Sequence, residues 1–178
     1  LVDSASGIHA RFSPYYIRRV RSDVKDPLTS LLIDQGVPHE EDVTNKENIV
    51  FSFPQQAPKG AVVVEDLDVK NQLDLWEVYQ DSWCEHKPSV TVYYSDDEFL
   101  EAGQWIWNKL DKCSGVSFLP RSDHVYQQAP YEAIDKKMFN KLSKEMPEID
   151  WNKLGEYETT DMTIGSQELA CVAGACEI

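Results

Sequence analysis

Between Asp68 and Leu119 the chain alternates two periodicities, and that alternation limits its fold more than any other feature. Val69, Leu73, Trp76, Tyr79 and Trp83 recur at three- and four-residue steps, which predicts a helix over 68–84 with one buried face. Ser89–Tyr94 (SVTVYY) is β-branched and aromatic and reads as a strand. A second helix is predicted over 97–113, with Phe99, Gly103, Ile106, Leu110 and Cys113 as its stripe, and Gly115–Leu119 forms a strand stopped by Pro120. Strands separated by helices of this length call for parallel pairing through crossovers, so the class is α/β.

The flanking segments add elements of the same kind. Ser13 followed by Pro14 resembles a helix cap and first turn, predicting a helix over 13–21. Asp26 and Pro27 repeat the device for a helix over 26–35 that Gly36 ends. Asn48–Phe53, closed by Pro54, reads as a strand, Ala61–Val64 as a short one, and a last helix runs from Tyr131 or Ala133 to Glu145. Three or four strands make a poor independent parallel sheet, which needs cover on both faces and protected edges. The chain is therefore expected to be part of something larger, and its start at Leu1 without a Met points to truncation. Beyond Pro147 it turns acidic and weakly periodic, so we expect a body over 1–147 and an arm over 148–178.

Composition narrows the setting. With 178 residues, 42% hydrophobic and 27% charged, the sequence has the makings of a globular domain. It has no apolar run long enough to cross a membrane and no signal-peptide layout, so it reads as cytoplasmic. A net charge of -14 argues against nucleic acid as a general partner. The charge is uneven. Arg11, Arg18, Arg19, Arg21 and Lys25 outnumber Asp3 and Asp23 at the start, whereas Lys153 stands alone among Glu148, Asp150, Glu156, Glu158, Asp161, Glu168 and Glu177 at the end.

Two places carry chemistry. Cys171 and Cys176 lie four intervening residues apart on a small-residue terminus, where a disulfide would constrain little of the unfolded chain. In a continuous helix they would point roughly 140° apart, a difference that a turn at Gly174 removes. A redox dithiol, a zinc site and an incidental pair in a bland tail compete as readings. Zinc lacks a second close pair of ligands, since the other cysteines and the four histidines never fall at ligand spacing. A dithiol here would work by thiolate attack and resolution, and the residues after Pro147 reach up to ~80 Å if extended. Cys84 and Cys113 fall at helix ends and read as packing residues; His86 and His124 have no paired nucleophile. The opening DSASGIHAR offers Ser4, Ser6 and Gly7 for close backbone approach to phosphate, followed by Arg11. A plain turn reads equally well there, because no complete phosphate fingerprint is present.

GIHARFSPYYIRRVR, NIVFSFPQQAPKGAV, LWEVYQDSWCEHKPSVTVYYSDDEF, GVSFLP with YQQAPYE, and the terminal CVAGAC occur in the order found in one family. Together they resemble the carboxyl-terminal quarter of class II, adenosylcobalamin-dependent ribonucleotide reductase, in its monomeric ribonucleoside-triphosphate reductase branch. The resemblance implies the last strands and helices of a ten-stranded α/β barrel like that of glycyl-radical enzymes, followed by a flexible redox tail. It implies adenosylcobalamin as cofactor of the whole enzyme, held partly by the first third of this chain and by residues after Tyr126. Cobalt–carbon homolysis in that family forms a thiyl radical that acts on a ribonucleoside triphosphate. Cys171 and Cys176 match the family's shuttle pair, which re-reduces the barrel disulfide and is restored by thioredoxin. Ser4, Ser6 and Gly7 match its substrate-phosphate loop. The radical cysteine and its two reducing partners would lie in a missing N-terminal part, so this chain alone is expected to be inactive. A free-standing dithiol carrier is the alternative.

Overall fold

The computed structural model describes residues 7–113, 115–121 and 127–158. The chain forms β1 (Tyr15–Asp23), α1 (Pro27–Asp34), β2 (His39–Glu41), β3 (Asn48–Gln56), α2 (Val69–Ser82), β4 (Val90–Tyr94), α3 (Phe99–Trp107), β5 (Val116–Pro120), β6 (Tyr131–Ala133), α4 (Lys136–Glu145) and α5 (Leu154–Tyr157). One sheet has the order β2-β3-β1-β6 and the other pairs β4 with β5. Two compact units result: Leu1–Arg19 with Phe53–Ser143, and Val20–Ser52 with Lys144–Ile178.

In the first unit the crossover predicted from the alternating pattern is present. β4 and β5 pair in parallel from Val90 opposite Val116 to Tyr94 opposite Pro120, with α3 between them in the chain. The core joins Val69, Leu73 and Trp76 of α2, Val90 and Val92 of β4, and Ala102 and Trp105 of α3. Trp76 and Trp105 meet edge to face at 6.2 Å between ring centroids. Each indole also places its N–H, on the Pro88 carbonyl and the Asp74 carboxylate respectively, both at 2.8 Å, as buried tryptophan requires. Asp68 caps α2 by accepting from the Asn71 N–H. Glu98 ties the start of α2 to the turn before α3, accepting from Val69 N–H at 2.9 Å and Ser95 N–H at 2.7 Å.

In the second unit α1 begins as its sequence predicts. Asp26 accepts from the Leu28 N–H, Pro27 occupies the first turn, and Gly36 at φ 81° follows its end in the left-handed region. β2 and β3 form an antiparallel pair, His39 opposite Phe51 and Glu41 opposite Ile49. Leu31, Leu32, Val37, Val50 and Phe51 are buried, and so is the carboxylate of Asp42. Asp42 accepts from the hydroxyl and backbone N–H of Thr44 and from Arg21 Nε at 2.8 Å. These bonds, those from Thr44 foremost, hold its pKa down at about 2 despite burial. Residues 150–157 are not extended. Gln35 exchanges two hydrogen bonds with the Asp150 backbone, and the Tyr157 hydroxyl donates to Asp34 at 2.9 Å.

Several expectations are corrected. Residues 13–21 are not helical: β1 covers Tyr15–Asp23 and pairs antiparallel with β6, Tyr16 opposite Ala133. The Ser-Pro pair only imitates a cap, while Tyr15, Tyr16, Ile17 and Val20 suit a pleated surface that has partners to pair with. Backbone bonds from Ala57 to Pro14 and from Val24 to Glu47 bracket β1 against β3, again antiparallel. Among the described residues β4 and β5 are the strands that pair in parallel, apart from an isolated parallel bridge between Arg11 and Val63, and the described strands form no closed barrel. β3 continues through Pro54 to Gln56, and Ala61–Val64 makes only an isolated bridge from Val63 to Arg11. Tyr131–Ala133 is a strand ahead of α4. The stripe expected for α3 is only partly right: Ile106 and Cys113 pack against the core, but Ala102 and Trp105 are the buried members, whereas Phe99 and Leu110 are exposed. Trp83, expected on the buried face of α2, is 83% exposed at its C-cap.

Candidate functional site

Gly7 is exposed in a turn at φ 66°, a backbone angle that glycine adopts without penalty. The residues after it are fastened on two sides within the first unit. Arg11 N–H donates to the Val62 carbonyl and Val64 N–H to the Arg11 carbonyl, both at 2.9 Å. His9 Nε2 accepts from the Thr91 N–H of β4 at 3.4 Å. Arg11 itself is buried.

The same segment walls a cleft of about 340 Å³, open to solvent, with Ile8, His9 and Ala10 on one side and Val90, Thr91 and Tyr93 of β4 on another. Gln72 of α2 also lines it and treats β4 as a neighbouring strand would. Its amide donates to the Tyr93 carbonyl at 2.8 Å and accepts from the Tyr93 N–H at 2.9 Å. The edge of β4 is thereby satisfied by side chains. Val64, Leu67 and Leu75 make the lining largely apolar, with its polar groups gathered along the strand edge.

Of the residues singled out in the sequence, Gly7 lies on this segment; Ser4, Ser6, Cys171, Cys176 and His124 lie outside the described residues. Cys84 and Cys113 are free thiols and half-buried. Cys113 packs on the first unit's core, and burial pushes its pKa up against the opposing pull of Lys109 and Lys87, so it sits mainly as the unreactive thiol. His86 is exposed. No group of three or more His, Cys, Asp or Glu side chains is placed to hold a metal ion among the described residues. His9 and Gln72, which shape the cleft, carry no sequence signal of their own; only the approach of two distant segments reveals them.

No family model matches the chain. A probable adenosylcobalamin-dependent ribonucleoside-triphosphate reductase of Dictyostelium discoideum is 31% identical over 161 residues, 86% of this chain and 21% of that protein. The adenosylcobalamin-dependent ribonucleoside-triphosphate reductase of Euglena gracilis is 30% identical over 80% of this chain and 20% of its own length. That of Lactobacillus leichmannii is 26% identical over 100% of this chain and 25% of its own. The chain thus spans about a fifth to a quarter of the length of the curated relatives it matches. Among solved structures, a B12-dependent, class II ribonucleotide reductase matches with a TM-score of 0.67 at 23% identity, over 86% of this chain and 22% of that one. The chain is thus similar along its whole length to adenosylcobalamin-dependent ribonucleoside-triphosphate reductases, and it shares the fold of the matching part of a B12-dependent ribonucleotide reductase.

Proposed function

We propose that this chain is a working portion of an adenosylcobalamin-dependent ribonucleoside-triphosphate reductase, supplying the dithiol that renews its active site. The observation that carries the reading is similarity along the entire chain to proteins of that name. In the complete enzyme this portion contributes strands and helices to the catalytic barrel, and the acidic arm after Pro147 carries Cys171 and Cys176.

Ser4, Ser6 and Gly7 serve the substrate's phosphates in this reading. Support comes from the left-handed turn at Gly7 and from the fastening of the next residues by Arg11 and His9, which hold backbone N–H groups in place before a ligand arrives. Adenosylcobalamin would supply the radical-generating chemistry in the whole enzyme. The cleft beside β4 is shallow and open to solvent, far too small to enclose a corrinoid by itself. Residues from the rest of the reductase must do most of that binding.

The shuttle step is a two-electron exchange. One thiolate of the Cys171–Cys176 pair attacks a sulfur of the oxidised active-site disulfide and forms a mixed disulfide. The second thiol of the pair then displaces the active-site thiolate. The active site leaves with two thiols and the arm with a disulfide, which an external dithiol such as thioredoxin reduces in turn.

Replacing Cys171 or Cys176 by Ser in the whole reductase is expected to spare a single turnover and to abolish thioredoxin-supported cycling. Undiminished multiple turnover would refute the shuttle. Mixing the 178-residue chain with the complementary portion of the reductase is expected to restore nucleotide reduction. Electron exchange without restored turnover would favour a free-standing dithiol carrier instead.

A further inference from the structure

The outer side of α3 presents Leu100 and Trp107 with the exposed Gln104 between them, and it is acidic towards its ends. Leu100, Gly103 and Trp107 fall at i, i+3 and i+7, so they share one face of the helix, while Ala102 and Trp105 turn into the core. Leu100 and Trp107 are 80% and 74% exposed. A Cβ added at Gly103 would meet nothing within 4 Å, so the two large side chains flank an open notch. Glycine inside a helix is less stable than alanine, and here the notch gives room for another backbone to approach. The basic residues just beyond the helix do not serve this face: Lys109 and Lys112 reach Glu77 and Asp81 of α2. Asp97 and Asp111, one near each end, make no ion pair among the described residues.

We propose that the Leu100–Gly103–Trp107 face of α3 is an internal docking surface of the whole reductase, covered by an apolar segment with basic flanks from the portion that these 178 residues do not contain. Two observations select that occupant. All of this chain matches the Lactobacillus leichmannii relative, yet it accounts for 25% of that protein, so three quarters of the relative's length is available to cover it. The acidic ends and the exposed Leu100 and Trp107 call for a basic, apolar counterpart, whereas a second copy pairing through this face would bring further carboxylates to a chain already at -14. The inference rests on the reductase reading, but its test uses no turnover, so either can fail alone.

Trp107→Cys in the 178-residue chain, and Cys at the aligned position of the full-length Lactobacillus leichmannii relative, are labelled with a maleimide and followed by peptide mass spectrometry. The expected result is fast labelling in the short chain and at least tenfold slower labelling in the full-length protein. A smaller difference overturns the proposal. So does slow labelling of the short chain that speeds up on dilution, because that assigns the face to a second copy. Should Trp107→Cys unfold either protein, Leu100→Cys reads the same face.

Discussion

The two compact units use polar side chains in opposite ways. In the first, apolar packing from α2, β4 and α3 forms the core, and carboxylates work at its margin: Asp68 and Glu98 bind helix starts, and Asp74 holds an indole N–H. In the second, the carboxylate of Asp42 is itself buried and closes the turn between β2 and β3. A marginal carboxylate keeps its charge cheaply in water, whereas a buried one stays charged only because every lone pair facing inward is met. The first unit should therefore depend on side-chain volume and the second on pH.

Trp76→Ala tests the volume side and should have the largest effect. It removes the largest fully buried side chain and is expected to cost about 3–5 kcal/mol in denaturant titration. Hydrogen exchange followed residue by residue should show protection lost across α2, β4 and α3 while β2 and β3 keep theirs. Equal loss in both units would make them one cooperative block and end the contrast.

Asp42→Asn comes next, lowering Tm by on the order of 5 °C at neutral pH. The sign on the acid side follows from a depressed pKa. The Asp42 contribution is complete above the ordinary aspartate value of 3.8 and drains away as pH falls towards about 2. The variant should accordingly be less stable at neutral pH and lose less between pH 4 and pH 2, as thermal melts across that range would record. A parallel acid slope in both proteins would remove Asp42 as the cause.

Glu98→Gln probes the margin of the first unit. Burial disfavours its charge, but the N–H groups of Ser95 and Val69 outweigh that and lower its pKa, so its stabilisation too is present above the ordinary glutamate range and is lost in acid. A loss of about 1 kcal/mol is expected, the scale of a helix cap. Lys70→Ala should matter least. Lys70 and Asp74 form an i,i+4 pair with both side chains well exposed, and a Tm change under about 2 °C is expected, vanishing in high salt.

What could be read without a structure was local. α1 announces itself through Asp26–Pro27, a cap beside its helix, and α2 through the three- and four-residue spacing of Val69, Leu73 and Trp76, because both signals lie between neighbours in sequence. The β4-α3-β5 unit was legible for a similar reason, since a crossover is set by segment order and length. β1 was misread because Ser13–Pro14 satisfies the local rule for a helix start, while the preference of Tyr15–Asp23 for a strand is realised by partners over a hundred residues away in β6. Gln72 and His9 escaped notice for the same cause. Each acts on the β4 edge as a side chain standing in for a missing strand.

The sequence by itself determined the α/β class, the starts of α1 and α2, the acidic end with Cys171 and Cys176, and a family kinship that homologues along the whole chain support. Those depend on residue order alone. Only the tertiary structure decided which face of α3 is buried, that β1 is a strand, and that Asp42 is an interior anion. Each of these hangs on pairing or packing between distant segments, where the free energy of burial and of satisfied hydrogen bonds outweighs the weak local preferences that a sequence displays.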